Sequence, residues 1–193
     1  MYNNPNPSPY PHPHYLNQAM YNNGIHSVQS HYTPNPSTPN FQKGYEMGLT
    51  DYGPRPFVFN INEATKQNNT FRTVIWTGSQ FQITLMSIGV GGDIGIEIHP
   101  EVDQFLRIEQ GQGIVQIGKN KNHLDFEKHV YDDSAIVIPA GTWHNLINTG
   151  TVSLKLYSIY APPNHPFNTV HVTKADALAA EGHRHNGNAG SFW

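Results

Sequence analysis

The chain reads as an all-β domain, a sandwich or a barrel, and three observations say so. From Phe57 onward it breaks into short runs rich in β-branched and aromatic residues: "FVFNI", "FRTVIW", "FQITLMSIGV", "IGIEIH", "QFLRIEQG", "GIVQIG", "SAIVIP" and "SLKLYSIY". Gly, Asn, Asp and Pro separate these runs at regular intervals, as turns between short strands require. No helical periodicity of comparable length intervenes, which excludes a parallel sheet built from βαβ units.

The segment ahead of these runs has a different character. "MYNNPNPSPYPHPHYLNQAMYNNGIHSVQSHYTPNPSTPNF" is rich in Asn, Pro, Tyr, His and Ser. It carries too little apolar surface to offset ordering its backbone, about 1–2 kcal/mol per residue. The composition predicts a disordered arm over residues 1–52, a β-barrel over 53–170, and a short helix with a flexible tail over 171–193. Prolines at 5, 7, 9, 11 and 13 favour extended polyproline-like conformers. Seven of the ten tyrosines fall within residues 1–52, where Lys43 is the only Lys or Arg. Aromatic contacts are therefore available to the arm for self-association or attachment to a surface, and ionic tethering is not. One helix start is legible, at Thr173 with Asp176 three residues on, opening "KADALAAE".

Charge and composition narrow the partners. The net charge is −3 with 11 Lys plus Arg, so there is no basic field for nucleic acid or anionic lipid. Without cysteine, disulfides and thiolate metal sites are excluded, and a metal must rest on His, carboxylate, carboxamide or water. No run approaches the roughly 18 apolar residues of a spanning helix, and the N-terminus lacks a basic and apolar leader. The expectation is a cytoplasmic protein that binds neither nucleic acid nor membrane.

The chemistry concentrates in "GVGGDIGIEIHPEVDQFLRIEQG", residues 89–111. Alternation along a strand puts Glu97 and His99 on one face and Ile96 and Ile98 on the other, until Pro100 ends the pairing. On the next strand Gln104, Leu106 and Ile108 share a face opposite Phe105 and Arg107. A hairpin of the two would set Gln104 beside Glu97 and His99, and a one-residue slip would present Asp103 instead. Downstream, "IPAGTWHNLIN" reverses the chain after an apolar strand and supplies His144. The set supports either a metal site or a hydrogen-bonded polar pair in a barrel mouth. An inward Glu97 demands a cation or strong donor, because an unpaired buried carboxylate costs several kcal/mol.

Other side chains are weaker candidates. Glu101, in the turn beside the site, is the candidate general base, against a plain solvated carboxylate. Lys155 and Tyr157 share one face of a late strand and Tyr160 takes the other. Trp143 either walls a pocket or stands exposed in a turn. His12 with His14, and His183 with His185, have chelating spacing without a scaffold.

Two motifs carry a family resemblance. Gly91, Glu97, His99, Gln104 and Gly111 stand at the spacing of the first cupin motif, whose ligand positions are usually His, His and Glu. Asp133, Pro139, Gly141, His144 and Asn148 resemble the second, with Asp133 in place of its first glycine. The resemblance covers roughly residues 57–165 and implies a double-stranded β-helix, or jelly-roll, barrel. Carried over position by position, it implies one divalent ion (Mn, Fe, Zn or Ni) on Glu97, His99, Gln104 and His144. This donor set also resembles that of type I phosphomannose isomerases with Gln and Glu exchanged. The whole chain looks like small cupins of spore-forming Firmicutes, often labelled mannose-6-phosphate isomerase-like, and cupin barrels often pair as homodimers.

Three functions follow as alternatives. The first is a metal-dependent isomerase or epimerase of a small sugar-like substrate. A cupin dioxygenase is the second. The third is a non-catalytic small-molecule-binding or spore-surface module, held by the arm.

Overall fold

The computed structural model describes residues 48–187, with side chains to residue 180. The expected disorder of the arm therefore lies outside the described residues up to residue 47. So do His12 and His14, and the side chains of His183 and His185.

Among the described residues the elements run α1 (Ile61–Gln67), β1 (Arg72–Thr77), β2 (Gln82–Ile88), β3 (Asp103–Gln110), β4 (Gln112–Gly118), β5 (Phe126–Tyr131), β6 (Ala135–Ile138), β7 (Trp143–Asn148), β8 (Leu154–Ala161), β9 (Val170–His171) and α2 (Lys174–Gly187). Two antiparallel sheets form, one ordered β6-β3-β8-β2-β1-β9 and the other β5-β4-β7. This is the jelly-roll expected from the sequence.

Alternation sorts each strand into the two environments. Met86, Ile88, Leu106, Ile108, Leu154 and Leu156 of the large sheet meet Val115, Val130 and Leu146 of the small one in the central core. Each such side chain contributes about 1.5–3 kcal/mol by leaving water. A second apolar cluster lies on the outer face of the large sheet, where Ile75 and Leu85 pack under Ala64 of α1 with Leu49, Tyr52, Phe59, Trp76, Ile83 and Tyr157.

Three local expectations are corrected. "FVFNI" forms no strand: Asn60 caps α1 by accepting from the Glu63 amide at 3.2 Å, and the aromatics stack instead, Tyr52 on Phe57 at 4.1 Å and Phe57 on Phe59 at 4.8 Å. Asn60 followed three residues later by Glu63 was the available helix signal. "IGIEIH" is an irregular edge beside β7 in place of a regular strand, held by the bridges Asp93 to Ile147 and Glu97 to His144. Gly95, at a φ of 90°, breaks its regularity. That edge makes no hairpin with β3, which pairs with β6 and β8. Finally, α2 continues past "KADALAAE" to Gly187, while its start is as read: the Thr173 amide donates to Asp176 at 2.8 Å and the Asp176 amide to Thr173 Oγ1 at 3.2 Å.

The folded unit also begins before residue 53. Asp51 is buried, and its carboxylate accepts from the Gly53 amide at 2.9 Å, Thr77 Oγ1 at 2.6 Å and the Asn168 amide at 3.3 Å. Tyr52 donates its amide to the Ile75 carbonyl at 2.9 Å. A chain shortened to residues 53–193 loses this network, each bond of which contributes about 0.5–1.5 kcal/mol. Its thermal midpoint is expected several degrees below that of residues 45–193. Equal midpoints in calorimetry would place Asp51 and Tyr52 outside the cooperative unit.

Candidate metal centre

The site is assembled by backbone pairing between the irregular edge and β7. Glu97 and His144 exchange both backbone bonds, each at 3.0 Å. The Gly141 amide donates to the His99 carbonyl at 2.8 Å, and the Ala140 amide to Asp103 Oδ1 at 2.8 Å. Gly141 takes a φ of 73°, which a side-chain-bearing residue adopts only with strain. The Pro-Ala-Gly turn is thus clamped onto the 97–103 segment, and that clamp aims His144 at Glu97.

Three donor atoms converge. Glu97 Oε1 lies 3.2 Å from His144 Nε2 and 3.3 Å from His99 Nε2, and all three fall within 4.8 Å of one another. Donors bound to one divalent ion at about 2.0–2.2 Å stand roughly 2.9–3.5 Å apart, so the observed spacing suits a shared ion. His144 Nδ1 lies 3.0 Å from the Thr142 carbonyl, which can only accept. The ring proton therefore sits on Nδ1, and Nε2 turns a lone pair toward a carboxylate oxygen. Two lone pairs at that distance repel unless a cation or a second proton lies between them.

Arg72 is a site residue the sequence reading missed. Its guanidinium is buried, with Nη2 3.9 Å from Glu97 Oε2. Burial pushes the Glu97 carboxyl up. Where a second proton fills the gap, the hydrogen bonds from His144 and His99 and the charges of Arg72 and His99 outweigh it and hold the group well below the usual carboxylate range. Position 72 reads as a charged residue at the start of a β run, and nothing local marks it as inward. Its Cα sits level with Met86 and, one strand further, Leu156, so only the length of the side chain carries the charge to the site.

Gln104 faces inward, 2% exposed, with no hydrogen bond to Oε1 among the described residues. A buried carbonyl oxygen in that state is a ready ligand. Asp103, its rival in the other register, is exposed and committed to the Ala140 amide. Tyr160 is fully buried with its ring edge on His99, centroids 5.5 Å apart. Burial pushes its phenol up to about 12, with Arg72 opposing and Glu97 reinforcing, and the Ser158 and Thr84 hydroxyls beside it.

The remaining candidates lie elsewhere. Glu101 is exposed in the turn after Pro100, outside the cluster. Arg107 pairs with Glu109 and Asp133 on the outer face. Lys155 is buried on that same face, where it donates to the Lys66 carbonyl at the end of α1 and to Asn69 at 3.0 Å. Tyr157 joins the outer cluster, and half-buried Trp143 lies under Lys121 at 5.5 Å.

The depressed Glu97 carboxyl has a consequence for acid stability in the metal-free protein. A carboxyl lowered from its ordinary 4.5 contributes stability above that pH, and the contribution is lost as pH falls below it. Glu97→Gln is expected to flatten the fall in unfolding free energy below pH 5, measured in urea. An unchanged slope would mean that Glu97 carries no such coupling.

A model of the cupin domain matches residues 84–160, the span that holds the converging donors. The chain is 77% identical over 133 residues to the uncharacterised protein YrkC of Bacillus subtilis, covering 69% of this chain and 72% of that one. It is 47% identical over 112 residues to the uncharacterised protein L612 of Acanthamoeba polyphaga mimivirus, covering 57% and 68%. The crystal structure of BH2720 from Bacillus halodurans superposes with a TM-score of 0.67 at 62% identity, covering 68% of this chain and 99% of that one. The sequence likeness to YrkC and BH2720, taken with the domain match over the donor-bearing strands, means that this chain belongs to the cupin superfamily.

Proposed function

We propose that the chain is a metal-dependent enzyme acting on a small oxygen-bearing molecule, with a divalent ion on Glu97, His99 and His144 and Gln104 as the fourth partner. The observation that carries this reading is the single carboxylate oxygen set 3.2 and 3.3 Å from two imidazole nitrogens, one of them with its lone pair fixed by Thr142. When bound, such an ion polarises a substrate oxygen and, as iron or manganese, adds one-electron chemistry.

The chain's own residues bear on which reaction fits. Among the described residues Glu97 is the one carboxylate of the cluster, and it is held ionised between two imidazoles and Arg72. The Tyr160 phenol stays protonated and serves as a donor, never as a base near neutral pH. An isomerase needs a base beside the substrate carbon, and the candidate Glu101 stands exposed in its turn. A phosphosugar also needs a cationic clamp, yet Arg107 and Lys155 are engaged on the outer face. Two histidines and one carboxylate, with coordination positions left open, match instead the donor set of oxidative non-haem metal sites. Support therefore favours an oxidative reaction. The mannose-6-phosphate isomerase-like reading stands second, on its similar donor composition.

Metal analysis after dialysis tests the centre. The wild-type chain should retain one equivalent of ion, and the His99→Ala, His144→Ala double variant none. Gln104→Leu should lower affinity about 10–100-fold. Ion retained by the double variant would remove this site from the protein. Oxygen uptake by the iron-loaded chain over diols and keto acids, set against anaerobic aldose–ketose interconversion, separates the two reactions. Activity that survives without metal would reject both.

Cytoplasmic location, dimerisation of the barrel and attachment through the Tyr-rich arm, to spores or to other copies, accompany this reading as proposals. Sedimentation of the full chain against residues 45–193 tests the last, with greater association expected of the full chain.

A further inference from the structure

The charges around the cluster constrain what it can hold. In the interior a charge must be met by an opposite one, since water cannot screen it. Here the accounting is short. Glu97 supplies one negative charge through the only carboxylate in the cluster among the described residues, and Arg72 meets it from 3.9 Å with a guanidinium side chain 2% exposed. An imidazole that ligates an ion does so without its second proton, so His99, His144 and Gln104 bring no charge to a bound ion. The groups behind them, Tyr160, Ser158 and Thr84, are fully buried side chains that end in a hydroxyl and not in a carboxylate.

With its ligands in the form that binds an ion, the protein side of the site is therefore close to neutral. Once an ion is bound, its two positive charges meet no further carboxylate within the cluster among the described residues. Three or four protein donors leave two or three positions open on a six-coordinate ion. The way in passes Glu97 and His99, whose side chains are 16% and 12% exposed, whereas His144 is 1% exposed.

We propose that the substrate is an anion, a small carboxylate that chelates through two oxygens, such as a dicarboxylate or a 2-oxo or 2-hydroxy acid, and that Arg72 is what makes the centre select it over neutral polyols. This rests on the metal-centre reading above and narrows its substrate. Arg72 acts by cancelling the Glu97 charge, which leaves the loaded site in need of the ligand's own negative charge. Removing the arginine frees Glu97 to compensate the ion. Metal affinity should then rise or hold while anion affinity falls, two effects that a merely structural role for Arg72 would not separate.

The test uses the full chain loaded with Co(II), in low-salt buffer without coordinating anions, titrated by calorimetry and by the cobalt visible spectrum. Malonate and pyruvate are set against ethylene glycol and erythritol. The carboxylates are expected to bind at least tenfold more tightly and to shift the cobalt bands. Arg72→Met should weaken malonate at least tenfold without weakening cobalt, and Arg72→Lys should restore malonate binding. If cobalt does not bind in stoichiometric amount, the metal centre fails and this inference falls with it. Cobalt binding with polyols equal to or tighter than carboxylates overturns the anion selection alone. Should Arg72→Met not fold, the wild-type comparison and Arg72→Lys still decide, and a Lys variant that keeps cobalt but binds no malonate would overturn the charge argument.

Discussion

The reciprocal backbone pair between Glu97 and His144 is the contact on which the centre depends. It ties a segment that is no regular strand to the edge of the small sheet, and by doing so closes that side of the barrel. Gly95 bends the segment, Pro100 ends it, and the Gly141 turn locks onto the His99 carbonyl. Three donors from two stretches of chain, some 45 residues apart, are thereby held together by backbone pairing. Preorganisation of this kind spares an incoming ion the cost of ordering its ligands.

The barrel interior is divided by chemistry. One end is filled by aliphatic side chains from both sheets. The other holds Arg72, Gln82, Thr84, Gln104, Ser158, Tyr160 and the donor cluster. Register produces the division, because Gln82 and Gln104 both pair with Tyr160, and Thr84 pairs with Ser158. Such a concentration of buried polar groups is costly unless each finds a partner, and the low local dielectric makes each charge count for more. The apolar end supplies the stability against which that cost is set.

The outer face of the large sheet has a different task. Lys155 looks in the sequence like a candidate for substrate contact, yet it and Glu109 fasten α1 to the sheet. Lys155 bonds the last carbonyl region of α1, a favourable place for a cation at the negative end of a helix, and Asn62 of α1 bonds Glu109. The segment from Asp51 to Gln67 is thus part of the fold's covering layer, which explains why the folded unit starts earlier than composition implied.

Periodicity and spacing alone determined the all-β class, most strands, the cap of α2, and the inward set Glu97, His99, Gln104 and His144, because strand alternation is a local property with a period of two. Neither the irregular course of 93–99 nor the strand that pairs with it was legible, since pairing depends on contacts far apart in sequence. Which of Gln104 and Asp103 faces the interior was likewise left to register: Gln104 is buried, and Asp103 is exposed and accepts from the Ala140 amide. Arg72 was decided only by tertiary structure. Its charge reaches Glu97 across the barrel interior from a position level with Met86 and Leu156, and no local pattern records how far a long side chain extends into a cavity that other strands enclose.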